Sequence, residues 1–288
     1  MIYRGRFAPS PTGPLHAGSL LTALASYLDA RANNGSWLLR IEDLDPPRTQ
    51  PGAETSILKT LEAYGLEWDE TVLRQSERLE IYREFCEQLL REKHAYHCQC
   101  SRSQLKARGA VKNYDGYCIQ NPPNSGSPTA IRLRGGLSTP FDDRVQGVQQ
   151  AEAVSDFTVF RRDGLFAYQL AVVVDDQLQN INQIVRGKDL LSETAKQRLL
   201  MQRLSFSQVT FYAHLPLILA EDGQKLSKQT LAQPVATTPD SIRTTLFKTL
   251  RLLGQEPPNH LIYNDLTDIH TWGIEHWNIN KVPSDLSI

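Results

Sequence analysis

The chain has 288 residues, 40% hydrophobic and 22% charged, a length and composition that bury a sizeable core and exclude a disordered or fibrous protein. A formal net charge of −1 excludes a surface coated in basic residues, so any nucleic acid must be gripped by local patches. No apolar run reaches membrane-spanning length, Arg4 and Arg6 lead into a Pro-rich turn rather than a signal peptide, and the four cysteines cannot staple a secreted scaffold of this size, so a cytoplasmic chain is expected.

Ile2 to Ala8 reads as a short strand, broken into a turn by Pro9, Pro11, Thr12, Gly13 and Pro14. From Leu15 onward Leu20, Leu21, Leu24, Tyr27 and Leu28 recur at helical spacing, and Asn33-Asn34-Gly35 supplies the stop. His16, Gly18 and Ser19 therefore sit where a strand hands over to a helix N-terminus, whose N–H groups and positive dipole end suit a phosphate. Gly18 admits close backbone approach, and His16 can donate to a phosphate oxygen. Alone, a His-x-Gly in a loop is an ordinary turn.

Ser36 to Ile41 reads as a second strand, with Glu42-Asp43-Leu44-Asp45 at its carboxyl end, where an open α/β sheet binds ligands. The same cluster before Pro46-Pro47 also fits a solvated turn. Ile57, Leu58, Leu61 and Tyr64 mark one amphipathic helix; Leu79, Tyr82, Phe85, Cys86 and Leu89 mark another, with Cys86 an inert core thiol. Cys98, Cys100 and Cys118 lie close together, which in a cytosolic chain suggests a metal more than a disulfide. Zn²⁺ takes four ligands, and His94, His97, Tyr114 and Asp115 compete for the fourth place. Residues 120–150, rich in Pro, Gly, Ser and Asn with a strand at Ala130 to Leu133, read as the rest of an insertion.

Phe157 to Phe160 and Leu165 to Val174 flank Arg161-Arg-Asp-Gly164, a β-hairpin signal, and Tyr168 opens an apolar run ending in Asp175-Asp176. Asn182 to Val185 is another strand, with Arg186-Gly-Lys-Asp189 at its carboxyl end before a helix carrying Leu199, Leu200 and Leu204. Leu215 to Leu219 and Glu221-Asp-Gly223 make a strand and tight turn that deliver Lys225-Leu-Ser-Lys228, which in isolation is a solvated patch. Leu246, Leu250 and Leu253 suggest one last helix, ended by Pro257-Pro258.

The run Arg6-Phe-Ala-Pro-Ser-Pro-Thr-Gly-Pro-Leu-His16-Ala-Gly18-Ser19, paired with Lys225-Leu-Ser-Lys228, resembles the two signature motifs of class I aminoacyl-tRNA synthetases. The first run is similar to the glutamyl and glutaminyl branch, and the resemblance extends from residue 2 to about 230. It implies an α/β fold: a Rossmann-like, doubly wound parallel sheet in two halves (1–96 and 151–230), an inserted zinc-bearing subdomain of acceptor-binding type (97–150), and a short, mainly helical C-terminal region (231–288). It implies ATP with Mg²⁺ held by His16, Gly18, Ser19 and Lys228, and catalysis by His16, Lys225 and Lys228. For glutamate it implies a site of Arg6, Phe7, Ala8, Pro9 and Ser10, with Glu42 on the amino group, Tyr168 as a wall and Arg186 against the side-chain carboxylate. Zinc-bearing members use a Tyr-x-x-x-Cys arrangement, which implies one structural Zn²⁺ on Cys98, Cys100, Tyr114 and Cys118. Ser19 stands where the first motif commonly has His, and Gln229 where the second has Ser or Arg.

Residues 231–288 are too few for an anticodon-reading domain of usual size. That short plan is similar to the glutamyl-queuosine tRNA(Asp) synthetases, which activate glutamate with ATP and attach it to queuosine in the tRNA(Asp) anticodon. The resemblance implies ATP, L-glutamate and queuosine-bearing tRNA(Asp) as partners, with no membrane and no obligate protein partner. Other readings are a minimal synthetase charging a tRNA 3′ end, a non-catalytic paralogue that binds glutamate or RNA, and a nucleotidylyltransferase on the same sheet. Intact His16, Glu42, Arg186 and Lys228 argue against the paralogue, and the segments around Glu42 and Tyr168 against the nucleotidylyltransferase.

Overall fold

A computed structural model describes residues 2–124, 126–207, 209, 211–218 and 233–286. The first half runs β1 (Arg4–Phe7), α1 (Ala17–Ala32), β2 (Ser36–Ile41), α2 (Ala53–Ala63), β3 (Asp69–Arg74) and α3 (Leu79–Arg91). β1 pairs in parallel with β2, and β2 with β3. Trp37, Leu38, Leu39 and Ile41 are all buried, as expected of a parallel strand covered on both faces. Asn33 caps α1 and Asn34 takes a positive φ of 51°. At Gly35 a Cβ would stand 2.6 Å from the Tyr3 carbonyl oxygen, so the tight return into β2 needs glycine. β3 was not expected: its Asp69-Glu-Thr-Val-Leu-Arg lies partly at the surface and carries little apolar signal.

The middle of the chain holds β4 (Ala95–Cys98), α4 (Arg102–Ala107), α5 (Tyr117–Gln120), β5 (Ala130–Leu133), β6 (Gly136–Leu137), β7 (Phe141–Asp143), β8 (Gly147–Gln149), β9 (Ala153–Val154) and β10 (Phe157–Phe160). β4, β5 and β10 form an antiparallel sheet. β7 instead pairs with a strand of the second half and hairpins with β8. The stretch read as the rest of an insertion thus lends an edge to the second half's sheet.

The second half follows as α6 (Tyr168–Leu178), β11 (Gln183–Gly187), α7 (Leu191–Arg203) and β12 (Phe211–Leu215), then α8 (Pro239–Leu252) and α9 (Leu266–His276). The expected second hairpin arm over 165–174 is corrected. After the tight return, with the Arg161 N–H on the Leu165 oxygen at 2.8 Å, the chain enters a helix. Every residue from Gln169 to Asp176 is buried, so the run shows no polar face to set helix apart from strand. The expected strand at 215–219 lies instead at Phe211–Leu215, where Pro216 ends the ladder. Leu219, the turn at 221–223, and Lys225 and Lys228 fall outside the described residues. Beyond α8 stands α9, which was not expected. α8 and α9 share a core with α1: Leu28, Leu246, Leu250 and Ile269 belong to one buried cluster. Buried Asp29 accepts from the Tyr3 hydroxyl (2.5 Å), the Trp277 indole N–H (2.9 Å) and Arg144 (3.2 Å). Among the described residues no helix is long and apolar enough to cross a membrane.

Candidate active site

The two halves meet where β11 lies beside β1. The Asn182 N–H donates to the Arg4 carbonyl (3.1 Å), and the Asn182 side-chain oxygen accepts from the Arg4 N–H (2.9 Å). In open α/β sheets, ligands bind outside the carboxyl ends of the strands at such a junction. Arg6 stands near the end of β1, Glu42 directly after β2, Arg186 near the end of β11, and Tyr168 opens α6. Burial raises the Tyr168 phenol, and Glu42, Arg186 and Arg6 all act on it electrostatically, so the four lie near one another.

Charge is distributed unevenly there. Asp176 on α6 accepts from Arg6 Nε at 3.1 Å and Arg40 Nη2 at 2.7 Å. Burial opposes its charge, yet the two guanidiniums prevail and hold its carboxyl below the ordinary range. Glu42 is less well supplied. Arg40 Nη2 is 3.7 Å away, and Oε1 is buried with no hydrogen-bond partner among the described residues. Burial pushes its carboxyl up to about 7, against the pull of Arg40 and Arg6. Arg186, only 4% exposed, donates from Nε to His214 Nε2 (2.9 Å) and from Nη2 to Thr194 Oγ1 (2.7 Å). Its Nη1 is buried without a partner among the described residues. Among the described residues, Glu42 Oε1 and Arg186 Nη1 are thus buried without a hydrogen bond, as are Arg40 Nε, Gln169 Oε1 and the Tyr212 hydroxyl nearby. Such groups are costly until a ligand meets them.

The approach loop is held beside Glu42 by the bond from the Glu42 N–H to the Pro9 carbonyl, 3.0 Å. Ala8 and Pro9 are half-buried and Ser10 is exposed. The Phe7 ring packs in the core, stacked 6.3 Å from Trp37, which leaves its backbone as the part that can meet a ligand. His16 is the N-cap of α1, with Nδ1 accepting from the Ser19 N–H (3.4 Å) and Nε2 on the Ser19 hydroxyl (3.0 Å). Ser19 thus braces the His16 ring, and Gly18 lies in the same first turn.

The cysteine knuckle stands apart from this crevice in sequence. β4 delivers Cys98 and α5 delivers Cys118, and the sulfurs of Cys98, Cys100 and Cys118 lie within 4.8 Å of one another. The Tyr114 hydroxyl is 3.5 Å from the sulfurs of both Cys98 and Cys100. A tetrahedral Zn²⁺ with bonds of about 2.3 Å spaces its sulfurs by roughly 3.8 Å, and Cys100 and Cys118 stand at 3.4 Å. The donor set therefore suits zinc. Of the other candidate fourth ligands, His97 pairs with Thr129 (2.8 Å), Asp115 with Arg108 (2.6 Å) and His94 with Glu92 (3.8 Å), while the Tyr114 hydroxyl also accepts from the Cys118 N–H (2.9 Å). Cys86 is buried on α3 with its thiol pushed up to about 12, the inert core residue expected.

Arg40, Asp176, His214, Asp143 and Thr194 belong to the site's surroundings, and of these only Asp176 drew notice in the sequence, as the end of an apolar run. The available signal was charge inside apolar runs: an Arg in Ser36–Ile41 and an Asp pair closing α6 must be paired to be buried.

The profile of the class I tRNA synthetases (E and Q), catalytic domain, matches residues 3–271. The chain belongs to that family. Among curated relatives it is 49% identical to the glutamyl-Q tRNA(Asp) synthetase of Pseudomonas fluorescens, over 99% of this chain and 95% of the relative. It is 46% identical to the protein of that name from Aromatoleum aromaticum, over 99% and 91%. Among solved structures, a glutamate tRNA ligase from Elizabethkingia meningosepticum, in complex with its amino acid, superposes with a TM-score of 0.80 at 28% identity. That match covers all of this chain and 67% of the other.

Proposed function

We propose that this chain activates glutamate with ATP, without help from tRNA, and transfers it to the queuosine base of tRNA(Asp). The observation that carries the glutamate half is that Glu42 Oε1, 3.7 Å from Arg40 Nη2, and Arg186 Nη1 are both buried without a hydrogen bond among the described residues, and both residues act electrostatically on Tyr168. An amino acid with an ammonium at one end and a side-chain carboxylate at the other supplies both missing partners. The transfer half rests on relatives of matching length that bear that name.

In the first step a glutamate α-carboxylate oxygen attacks the α-phosphorus of ATP, delivered with Mg²⁺, and pyrophosphate leaves. His16 and the N-terminus of α1 act on the developing phosphate charge, and Lys228, helped by Lys225, on the leaving phosphates. A hydroxyl of the queuosine cyclopentene ring then attacks the adenylate carbonyl. AMP leaves, the hydroxyl proton is lost, and an ester remains. No side chain need act as nucleophile, so positioning supplies most of the rate. Labelled glutamate with ATP is expected to enter tRNA(Asp) from queuosine-making cells and not from queuosine-deficient cells. Label on the 3′ end of tRNA(Glu) would mean a charging synthetase; no label and no pyrophosphate exchange would mean a binding protein.

Cys98, Cys100, Tyr114 and Cys118 hold one Zn²⁺ by this reading, and the metal shapes the segment between β4 and α5 without entering the chemistry. Elemental analysis is expected to find one zinc per chain, lost in a Cys98→Ser/Cys118→Ser variant that keeps pyrophosphate exchange. A metal-free native protein, or loss of exchange with the fold intact, would overturn this assignment.

A further inference from the structure

Arg186 does not stand alone. His214 on β12 is fully buried, its ring stacked 6.0 Å from Tyr212, and its Nδ1 lies 2.5 Å from Asp143 Oδ2 on β7. Asp143 is also buried, and its Oδ1 accepts from the backbone N–H groups of Val145 (3.0 Å) and Gln146 (2.8 Å). With both residues buried and Asp143 ionised, the proton on His214 sits on Nδ1, where the carboxylate receives it. Nε2 is then a bare acceptor, and it is this atom that takes the Arg186 Nε–H. Thr194 takes one proton of Arg186 Nη2. In a planar guanidinium, Nε and the nearer Nη2 proton form one edge, and Nη1 with the remaining Nη2 proton form the other.

We infer that Asp143 and His214 form a positioning relay that occupies the side edge of Arg186 and presents its end edge to the substrate's side-chain carboxylate. This inference rests on the reading of Arg186 as the anchor for that carboxylate. Neither Asp143 nor His214 touches the substrate. Asp143 sets which nitrogen of His214 carries hydrogen, and His214 sets which edge of Arg186 is free. The relay makes the pocket selective for a carboxylate: a guanidinium held in plane offers two parallel donors, which match two carboxylate oxygens and mismatch an amide, whose NH₂ would face a donor.

The discriminating variant is Asp143→Asn. Because Oδ1 already accepts two backbone N–H groups, the asparagine NH₂ must take the Oδ2 place and face His214 Nδ1. The ring must then carry its proton on Nε2, donor against donor with Arg186 Nε. In pyrophosphate exchange the KM for glutamate is expected to rise tenfold or more, with KM for ATP and kcat at saturating glutamate changed less than threefold. His214→Gln, whose amide can turn its oxygen toward Arg186 and its NH₂ toward the Asp143 carboxylate, is expected to keep a near-native KM with Asp143 in place. His214→Leu, which offers no acceptor, should match Asp143→Asn, and it serves as the test if that variant does not fold. An unchanged KM in Asp143→Asn or His214→Leu, or a KM in His214→Gln raised as far as in His214→Leu, would overturn the relay. An unchanged KM in Arg186→Lys as well would overturn the underlying reading of Arg186.

Discussion

Replacing Arg186 with alanine is expected to lower kcat/KM for glutamate in pyrophosphate exchange by at least a hundredfold, nearly all of it in KM. The guanidinium is buried, fixed on one edge by His214 and Thr194, and without a hydrogen bond at Nη1 among the described residues. Removing one member of a buried, hydrogen-bonded charge pair costs about 3–5 kcal/mol, since the other charge is left without a counterion. Each 1.4 kcal/mol is about tenfold in affinity, so the loss is of order 10²–10³. Lysine keeps the charge and forfeits the two parallel donors, so Arg186→Lys should fall between, with a larger share of its loss in glutamate-over-glutamine preference. Steady-state exchange at varied glutamate checks this. A change below tenfold in the alanine variant would remove Arg186 from the binding site.

Glu42→Gln is expected to weaken glutamate by about 10–100-fold while stabilising the ligand-free protein, the loss reflecting one charge-assisted hydrogen bond to an ammonium. The carboxyl has been raised from 4.5 to about 7 by burial, so it is costly to keep ionised in the folded state. The sign runs so: a carboxyl with a raised pKa destabilises the fold at pH above its folded value, and the penalty fades as pH falls through about 7 toward the unfolded value. The neutral amide escapes that penalty, which is of order a few kcal/mol, so its melting temperature at pH 8 should exceed the native one. Binding has the opposite slope. Glutamate's ammonium needs the ionised Glu42, so KM should rise as pH drops below about 7 in the native protein and stay level in Glu42→Gln. Melting scans and KM measured from pH 5.5 to 8.5 test both halves. A destabilised amide variant, or one that keeps the native pH slope, would sink the account.

Much of this architecture was legible because turn residues bracket its elements. Ser36–Ile41 and Ala130–Leu133 stand at the bounds expected, each closed off by Gly, Pro or charged residues. α6 was not legible as a helix, because it is buried around its circumference and its polar residues, Gln169, Asp175 and Asp176, are buried too. β12 was set too late, because Tyr212 and His214 look polar in a list of residues and are core residues in the fold. The site divides in the same way. Arg6, Glu42, Tyr168 and Arg186 were reached through the motif resemblance, and in the structure Glu42, Arg186 and Arg6 lie near enough to Tyr168 to act on it electrostatically. The residues that hold them, Arg40, Asp176, Asp143 and His214, are separated by up to 170 positions from their partners, as with Asp176 and Arg6. Pairings at that range leave no local pattern. Only the presence of charge within an apolar run hints that a partner must exist.

The hub at Asp29 ties the first strand, the β7–β8 hairpin region and the end of α9 through Tyr3, Arg144 and Trp277. Its consequence lies in the order of assembly. During synthesis, α1 emerges with its apolar face uncovered and its one buried carboxylate lacking an indole partner until residue 277 has been made. The candidate site stands on β1 and on the loop leading into α1, so its final packing waits on contacts made across as many as 248 positions.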